Sequence, residues 1–251
     1  MRLLTLARDL RRRKAREKHS LFVAEGVRSV EELLRSGLPI DGALVAPQLA
    51  TAPRGESLRS GLEAAGVEVA EVSEKDFRSA AETESPQGVI AIAGIPARKL
   101  ETLDAGGRCR FLVLDALQDP GNVGTIVRTA AALGATATIA LPGTVDLWNP
   151  KVIRSSMGAQ FVHPVVHTSV PELLAYLNGA GVELWCADTG GESMGEAPAP
   201  QRLAIALGNE GSGLSSGIRA AARRTISLPI TSAVESLNVA VAAGIILYHL
   251  R

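Results

Sequence analysis

Short apolar runs of strand length alternate with longer amphipathic stretches along most of the 251 residues. Leu4, Leu6, Ala7, Leu10 and Ala15 recur at helical spacing among basic residues, so 4–18 reads as a helix. Leu21-Phe22-Val23-Ala24 reads as a strand, and Glu25-Gly26 turns it into a helix through Leu34 that stops near Gly37-Leu38-Pro39. Ala43–Val45, Val67–Val69 and Val89–Ala93 predict further strands. Helices are predicted over 57–65, ending at Gly66, and from Glu74 to Ala81 with Ser73 as N-cap. The pattern is that of a small α/β domain over residues 1–97, followed by a linker at 98–108 with Ala-Gly-Gly inside it.

The second half, 109–251, repeats the alternation more strongly. Phe111–Leu114 is apolar throughout, as in a parallel sheet covered on both faces. Strands are predicted at 136–141, 161–166, 182–186, 203–207 and 225–228, with helices at 123–133, 150–156 and 171–178 between them. Gly190 to Pro200 reads as a surface loop. From Ile226 the chain is first irregular and polar (Pro229, Thr231, Ser232, Glu235, Ser236, Asn238), then apolar from Val239 to Leu247. No charge lies between Glu235 and Arg251, which predicts a terminal helix buried on nearly all sides.

Composition changes the picture little: 46% apolar, 3% aromatic and zero formal net charge suit a soluble α/β protein with a Leu/Val/Ile/Ala core. The charge distribution matters more. Arg2, Arg8, Arg11, Arg12, Arg13, Lys14, Arg16 and Lys18 face only Asp9 and Glu17 in the first 18 residues. Such an arm can bind nucleic acid or simply be a solvated helix face. Cys109 and Cys186 are too few for a disulfide scaffold or metal cluster, which fits a reduced, cytoplasmic protein. His163 and His167 sit in an extended segment without metal-site spacing, so no metal is expected. The last apolar run is short and rich in Ala and Gly, so no membrane span is expected either.

Three polar loops leave the carboxyl ends of apolar strands, after Leu114, Leu207 and Leu228, where open parallel sheets bind ligands. Asn122 and Arg128 follow the first, and Arg128 is the sole charge between Asp119 and Asp146. Gly208-x-Glu210-Gly211-x-Gly213 is neither the dinucleotide fingerprint nor a phosphate loop, but its glycines would let backbone approach a ligand.

LDALQDPGNVGTIVRTAAALGA (114–135), IALGNEGSGLS (205–215) and ISLPITSAVESLNVAVAAG (226–244) resemble, in order and spacing, the three motifs of the SpoU (TrmH-like) RNA ribose 2′-O-methyltransferases of the SPOUT superfamily. NPKVIRSSMGAQF (149–161) is similar to the family's segment between motifs one and two. LRRRKAREKHSLFVAEGVRSVEELL and SPQGVIAIAG look like its accessory RNA-binding domain.

The resemblance implies a methyltransferase domain with a deep trefoil knot, a rare exception to ordinary chain topology, and a homodimer packed through it. S-adenosylmethionine would be held around Leu207, Gly208, Glu210, Gly211, Ile226, Leu228, Ser236, Leu237 and Asn238. Arg128, Asn122, Glu210, Ser236 and Asn238 would be catalytic, with Ser156 a weaker candidate, and Arg11, Arg12, Arg13, Lys14, Arg16 and Lys18 would contact RNA phosphates. Ser232 departs from the glycine many members carry. The substrate is expected to be structured RNA, ribosomal ahead of transfer RNA because the accessory domain is present. Methylation of a base, and RNA binding without turnover, are the alternatives.

Overall fold

The structure, a computed structural model, describes residues 2–196, 198–231 and 233–250. The strands are β1 Leu21–Glu25, β2 Ile40–Val45, β3 Val69–Glu71, β4 Val89–Gly94, β5 Cys109–Asp115, β6 Ala137–Ala140, β7 Val165–His167, β8 Glu183–Ser193, β9 Arg202–Gly208 and β10 Arg224–Ser227. The helices of the first half are α1 Arg2–Asp9, α2 Arg13–His19, α3 Val27–Ser36, α4 Gln48–Thr51, α5 Gly55–Ala64 and α6 Glu74–Ala80. Those of the second half are α7 Pro120–Ala132, α8 Pro150–Ser156, α9 Ala159–Val162, α10 Val170–Ala180, α11 Ser216–Ala221 and α12 Val239–Leu250.

Two compact units result. The first takes the chain up to Ala97 together with Trp148–Val162; the second takes Arg98–Leu147 and the chain from His163 onward. Residues 148–162 therefore pack with the first unit although they interrupt the second in sequence. Their anchor is aromatic: Phe22, fully buried on β1, has Trp148 at 4.7 Å and Phe161 at 5.6 Å between ring centroids. Each such pair contributes roughly 0.5–1.5 kcal/mol beyond the area it buries.

The first unit has a four-stranded sheet in the order β1-β4-β2-β3, with β2 and β3 parallel and the other pairs antiparallel. Ser73 caps α6 by accepting from Asp76 N at 3.1 Å. The single helix expected over 4–18 is broken at Leu10–Arg12. Arg16, 2% exposed, fills the break, its Nη1 donating to Leu10 O at 2.7 Å and Arg11 O at 2.9 Å. Arg16 is thus a buried capping residue and leaves the expected RNA-facing set. Arg11 pairs with Glu82 at 3.8 Å, Arg13 with Glu17 at 2.7 Å and Arg12 with Asp9. Lys14 and Lys18 are exposed on α2 and have no ion-pair partner among the described residues.

The second unit is a six-stranded, wholly parallel sheet in the order β10-β8-β9-β5-β6-β7. Phe111, Val113, Ile139, Ala204 and Ala206 form its central core with Leu173 and Leu177 of α10. Two expectations change. Phe161 and Val162 belong to α9 rather than to a strand, and β8 runs on through Ser193 instead of yielding a loop at Gly190. Backbone pairing of Ile226 and Ser227 with Glu192 and Ser193 holds that extension. A side chain at Gly191 would place its Cβ 2.6 Å from Ile226 C, so only glycine fits there.

The terminal helix α12 also differs from expectation. Ala240, Ala243, Ile246, Leu247 and Leu250 are buried, but Val241, Ile245 and Tyr248 are 52%, 43% and 58% exposed. At spacings of four and three they form one stripe of the helix. Its last turn is tied down: Arg110 Nε and Arg108 Nη2 both donate to Leu250 O, at 3.0 and 2.9 Å. Among the described residues no helix is long and apolar enough to cross a membrane.

Candidate active site

Strand order in the parallel sheet reverses at β5: β6 and β7 build outward on one side, β9, β8 and β10 on the other. Loops leaving the carboxyl ends of strands that flank such a reversal diverge and open a crevice. Here the flanking strands are β5 and β9, and Asp115 lies opposite Gly208 in the register, so both loops start at one level.

The loop after β9 is a tight turn. Asn209 N donates to Gly213 O at 3.1 Å and Gly213 N to Asn209 O at 2.9 Å. The Asn209 side chain organises the rest: Oδ1 accepts from Gly211 N, Ser212 N and Ser212 Oγ at 2.9, 3.0 and 3.2 Å. Gly213 has φ +69, a conformation that favours glycine. A Cβ on Gly208 would lie 2.5 Å from both Gly213 C and Leu214 N, so backbone packs where a side chain would stand.

The loop after β5 is pinned to this turn. Asn209 Nδ2 donates to Ala116 O at 2.9 Å, and the buried Asp115 carboxylate accepts from Ser215 N at 2.7 Å. Ala116 has φ +59, unusual for a residue with a Cβ. Asp119 then caps α7, accepting from Asn122 N at 2.7 Å, with Pro120 in the first helical position.

Asn122 joins all three loops. Its Nδ2 donates to Glu210 Oε1 at 2.8 Å, and its Oδ1 accepts from Asn238 Nδ2 at 3.0 Å. Asn238 in turn caps α12, its Oδ1 accepting from Ala240 N at 2.9 Å. Glu210 therefore fixes Asn122 and has no bond to Arg128.

Beside this chain of bonds lies a cleft of about 490 Å³. Leu207, Gly208, Glu210, Gly211, Ile226, Leu228, Ser236 and Leu237, all expected to hold the cofactor, line it. Asn238 is outside the lining and reaches the site only through Asn122. Arg128 is exposed on α7, about 9 Å along the helix from Asn122 at 1.5 Å per residue. It does not line the cleft. Ser156 is buried in the first unit, donating to Ile153 O at 2.8 Å. Ser232 lies outside the described residues.

Sequence reasoning missed Asp188, Thr189 and Arg219, which also line the cleft. Arg219 Nη1 meets Asp188 Oδ2 at 2.6 Å, and its Nε donates to Leu214 O at 3.1 Å. Burial alone would push the Asp188 carboxyl up, but the Arg219 guanidinium and the neighbouring backbone N–H groups outweigh it and hold it below the usual carboxylate range. The missing signal was topological, since Asp188 reaches the cleft only because β8 extends past Ala187. Asn209 carries no local signal, because an asparagine among glycines reads as ordinary turn chemistry.

Neither His163 nor His167 lines the cleft. His163 bonds Thr138 Oγ1 at 3.0 Å, and burial, then the nearby Arg98 charge, lowers its pKa to about 4. His167 Nε2 accepts from Leu147 N at 3.2 Å. Among the described residues no group of three or more His, Cys, Asp or Glu side chains is placed to hold a metal ion.

Residues 110–248 match the model of the SpoU rRNA methylase family. The chain belongs to that family. Residues 5–91 match an MRM3-like substrate-binding domain. Over 97% of this SpoU chain and 94% of its relative, 36% of residues are identical to the 23S rRNA (guanosine(2553)-2′-O)-methyltransferase RlmP of Bacillus subtilis. The solved structure of the SpoU methyltransferase AviRb from Streptomyces viridochromogenes, in complex with the cofactor AdoMet, superposes with a TM-score of 0.89. That match covers 99% of this chain and 96% of that one at 28% identity. AdoMet-bound rRNA methyltransferase from Sinorhizobium meliloti gives 0.86 over 99% and 94%, also at 28% identity.

Proposed function

We propose that this SpoU chain transfers the methyl group of S-adenosylmethionine to a ribose 2′-hydroxyl in ribosomal RNA, of the 23S type. The observation that carries the reading is the bonded series Glu210–Asn122–Asn238, which ties the three family motifs together at the rim of the cleft. The lengthwise match to a 23S ribose methyltransferase supports the substrate.

The cleft fits the cofactor. Its volume lies in the range of small-molecule sites. Apolar Leu207, Leu228 and Leu237 offer packing for a purine, and the turn around Gly208 and Gly211 offers backbone polar groups without intervening side chains. Bound there, the cofactor supplies an activated methyl group, and the protein supplies orientation and electrostatics.

The chain's own residues then divide the work. Asn122 has its amide orientation fixed from both ends, leaving one N–H and one oxygen lone pair to position the ribose hydroxyl. Glu210 and Asn238 hold Asn122 in place, and Ser236 closes the cleft from the third motif. A guanidinium group presents a planar fork of donors that suits a phosphate or an oxyanion, and Arg128 supplies one on α7. Exposed and without an ion pair among the described residues, it is available to anchor a phosphate and stabilise developing negative charge on the hydroxyl oxygen.

The same reading includes a knotted second domain and a homodimer packed through it. The exposed Val241, Ile245 and Tyr248 stripe supports the dimer, because a partner would cover apolar surface that one chain leaves in water. In the first domain, exposed Lys14 and Lys18 would contact RNA phosphates, joined by the paired Arg11, Arg12 and Arg13 once their carboxylate partners release them. Free, buried Cys109 and Cys186 suit a reducing cytoplasm.

Incubation with tritiated S-adenosylmethionine and ribosomal RNA should give alkali-resistant ribose methylation, reduced at least about a hundredfold by Arg128→Ala. Label on a base would overturn the ribose assignment, label on transfer RNA alone the substrate, and full activity in Arg128→Ala the role of that residue.

A further inference from the structure

We propose that Asn209 is a positioning residue that couples occupation of the cofactor cleft to the geometry of the hydroxyl-orienting loop. The inference rests on the methyl-transfer reading and assigns Asn209 a role distinct from lining the cleft.

The two ends of its amide serve different structures. The oxygen is wholly engaged in building the cofactor turn, accepting from Gly211 N, Ser212 N and Ser212 Oγ. The nitrogen leaves the turn and donates to Ala116 O, at the start of the loop that leads to Asn122. Ala116 is the strained point of that loop, at φ +59, and such a conformation persists only where neighbours enforce it. The next residue, Glu210, grips the same loop at its other end through Asn122. Residues 209 and 210 thus hold the segment from Ala116 to the first turn of α7 at both ends, and any shift of the turn is passed to Asn122.

The asymmetry of the amide makes the proposal testable. In Asn209→Asp the carboxylate keeps all three acceptor bonds of the turn. It loses the donor toward Ala116 and sets a negative oxygen against a carbonyl oxygen about 3 Å away. In Asn209→Ala both sets of bonds are lost.

The experiment uses the full chain, with sinefungin as an unreactive cofactor analogue and single-turnover methyl transfer to ribosomal RNA as the second readout. Asn209→Asp should bind sinefungin within about twofold of wild type while its transfer rate falls between about tenfold and a hundredfold, the scale of a sub-ångström to ångström misplacement. The KM for RNA should not move. Asn209→Ala should lose both affinity and rate. Thermal unfolding of each variant shows that the fold is retained. A wild-type transfer rate in Asn209→Asp would overturn the proposal, as would a parallel fall in affinity and rate. A wild-type chain that neither binds sinefungin nor transfers would instead overturn the methyltransferase reading itself.

Discussion

Replacing Gly208 by alanine adds one methyl group at the closest approach of backbone to backbone in the site. The new Cβ would lie 2.5 Å from Gly213 C and Leu214 N, and 2.8 Å from Gly213 O, roughly 1 Å inside ordinary van der Waals contact. All three atoms are main chain, so no side chain can rotate away. The turn must open, breaking the paired bonds between Asn209 and Gly213. Forced overpacking of this kind costs about 1–3 kcal/mol. Restricting the unfolded chain returns about 0.4–1 kcal/mol, so the net loss of stability is modest. The effect on binding is larger, because the displaced turn is one wall of the cleft. A loss of about 2 kcal/mol in cofactor binding corresponds to roughly thirtyfold in Kd. Gly217→Ala is the control, since its Cβ would meet only Val170 Cγ1 at 3.7 Å, on α11 and outside the lining. Calorimetric titration with S-adenosylmethionine measures both. Unchanged affinity in Gly208→Ala, in a folded protein, would refute the assignment of this turn as the cofactor wall.

Two further outcomes follow from the charge distribution. Lys14→Ala and Lys18→Ala should each lower the slope of log RNA affinity against log salt by about 1, while Arg16→Ala should leave the slope unchanged and destabilise the fold by about 2–3 kcal/mol, because Leu10 O and Arg11 O lose their buried donor; filter binding over a salt series and urea unfolding separate the two, and an Arg16→Ala slope change equal to that of the lysines would contradict the burial argument. His163, held at about 4 in the fold by burial and then by Arg98, takes up its proton nearer 6.5 when unfolded, so the unfolded chain binds more protons between those values and stability should fall by about 3 kcal/mol as pH drops from 6.5 to 4; in His163→Gln that component of the pH dependence should vanish, and an unaltered slope in urea unfolding would sink the attribution.

Local patterns made much of the fold readable. Apolar Phe111–Leu114 and the helical pattern from Val123 onward placed β5 and the body of α7, because both depend on near neighbours in sequence, while the capped first turn at Pro120 read as loop. The cleft's apolar and glycine lining followed from the family motifs. What escaped depended on partners far along the chain. Arg16 looked like one more basic arm residue, and only the break in the helix shows why its guanidinium turns inward. The extension of β8 is stabilised by pairing with residues more than 30 positions later, so its glycines read locally as loop. The apolar α12 was legible as buried, but its sequence cannot distinguish burial within a chain from an apolar face left at the surface.

The return of residues 148–162 to the first unit bears on how such a protein can be taken apart or assembled. The chain passes between the units three times, after residues 97, 147 and 162. A fragment ending at Ala97 would leave the Phe22 ring without Trp148 and Phe161, exposing an aromatic surface on its first strand. The substrate-binding unit is therefore not a cassette that can be cut at one junction and grafted onto another catalytic domain. A recipient has to bring its own 15-residue excursion carrying the two aromatic rings, so the two halves must change together.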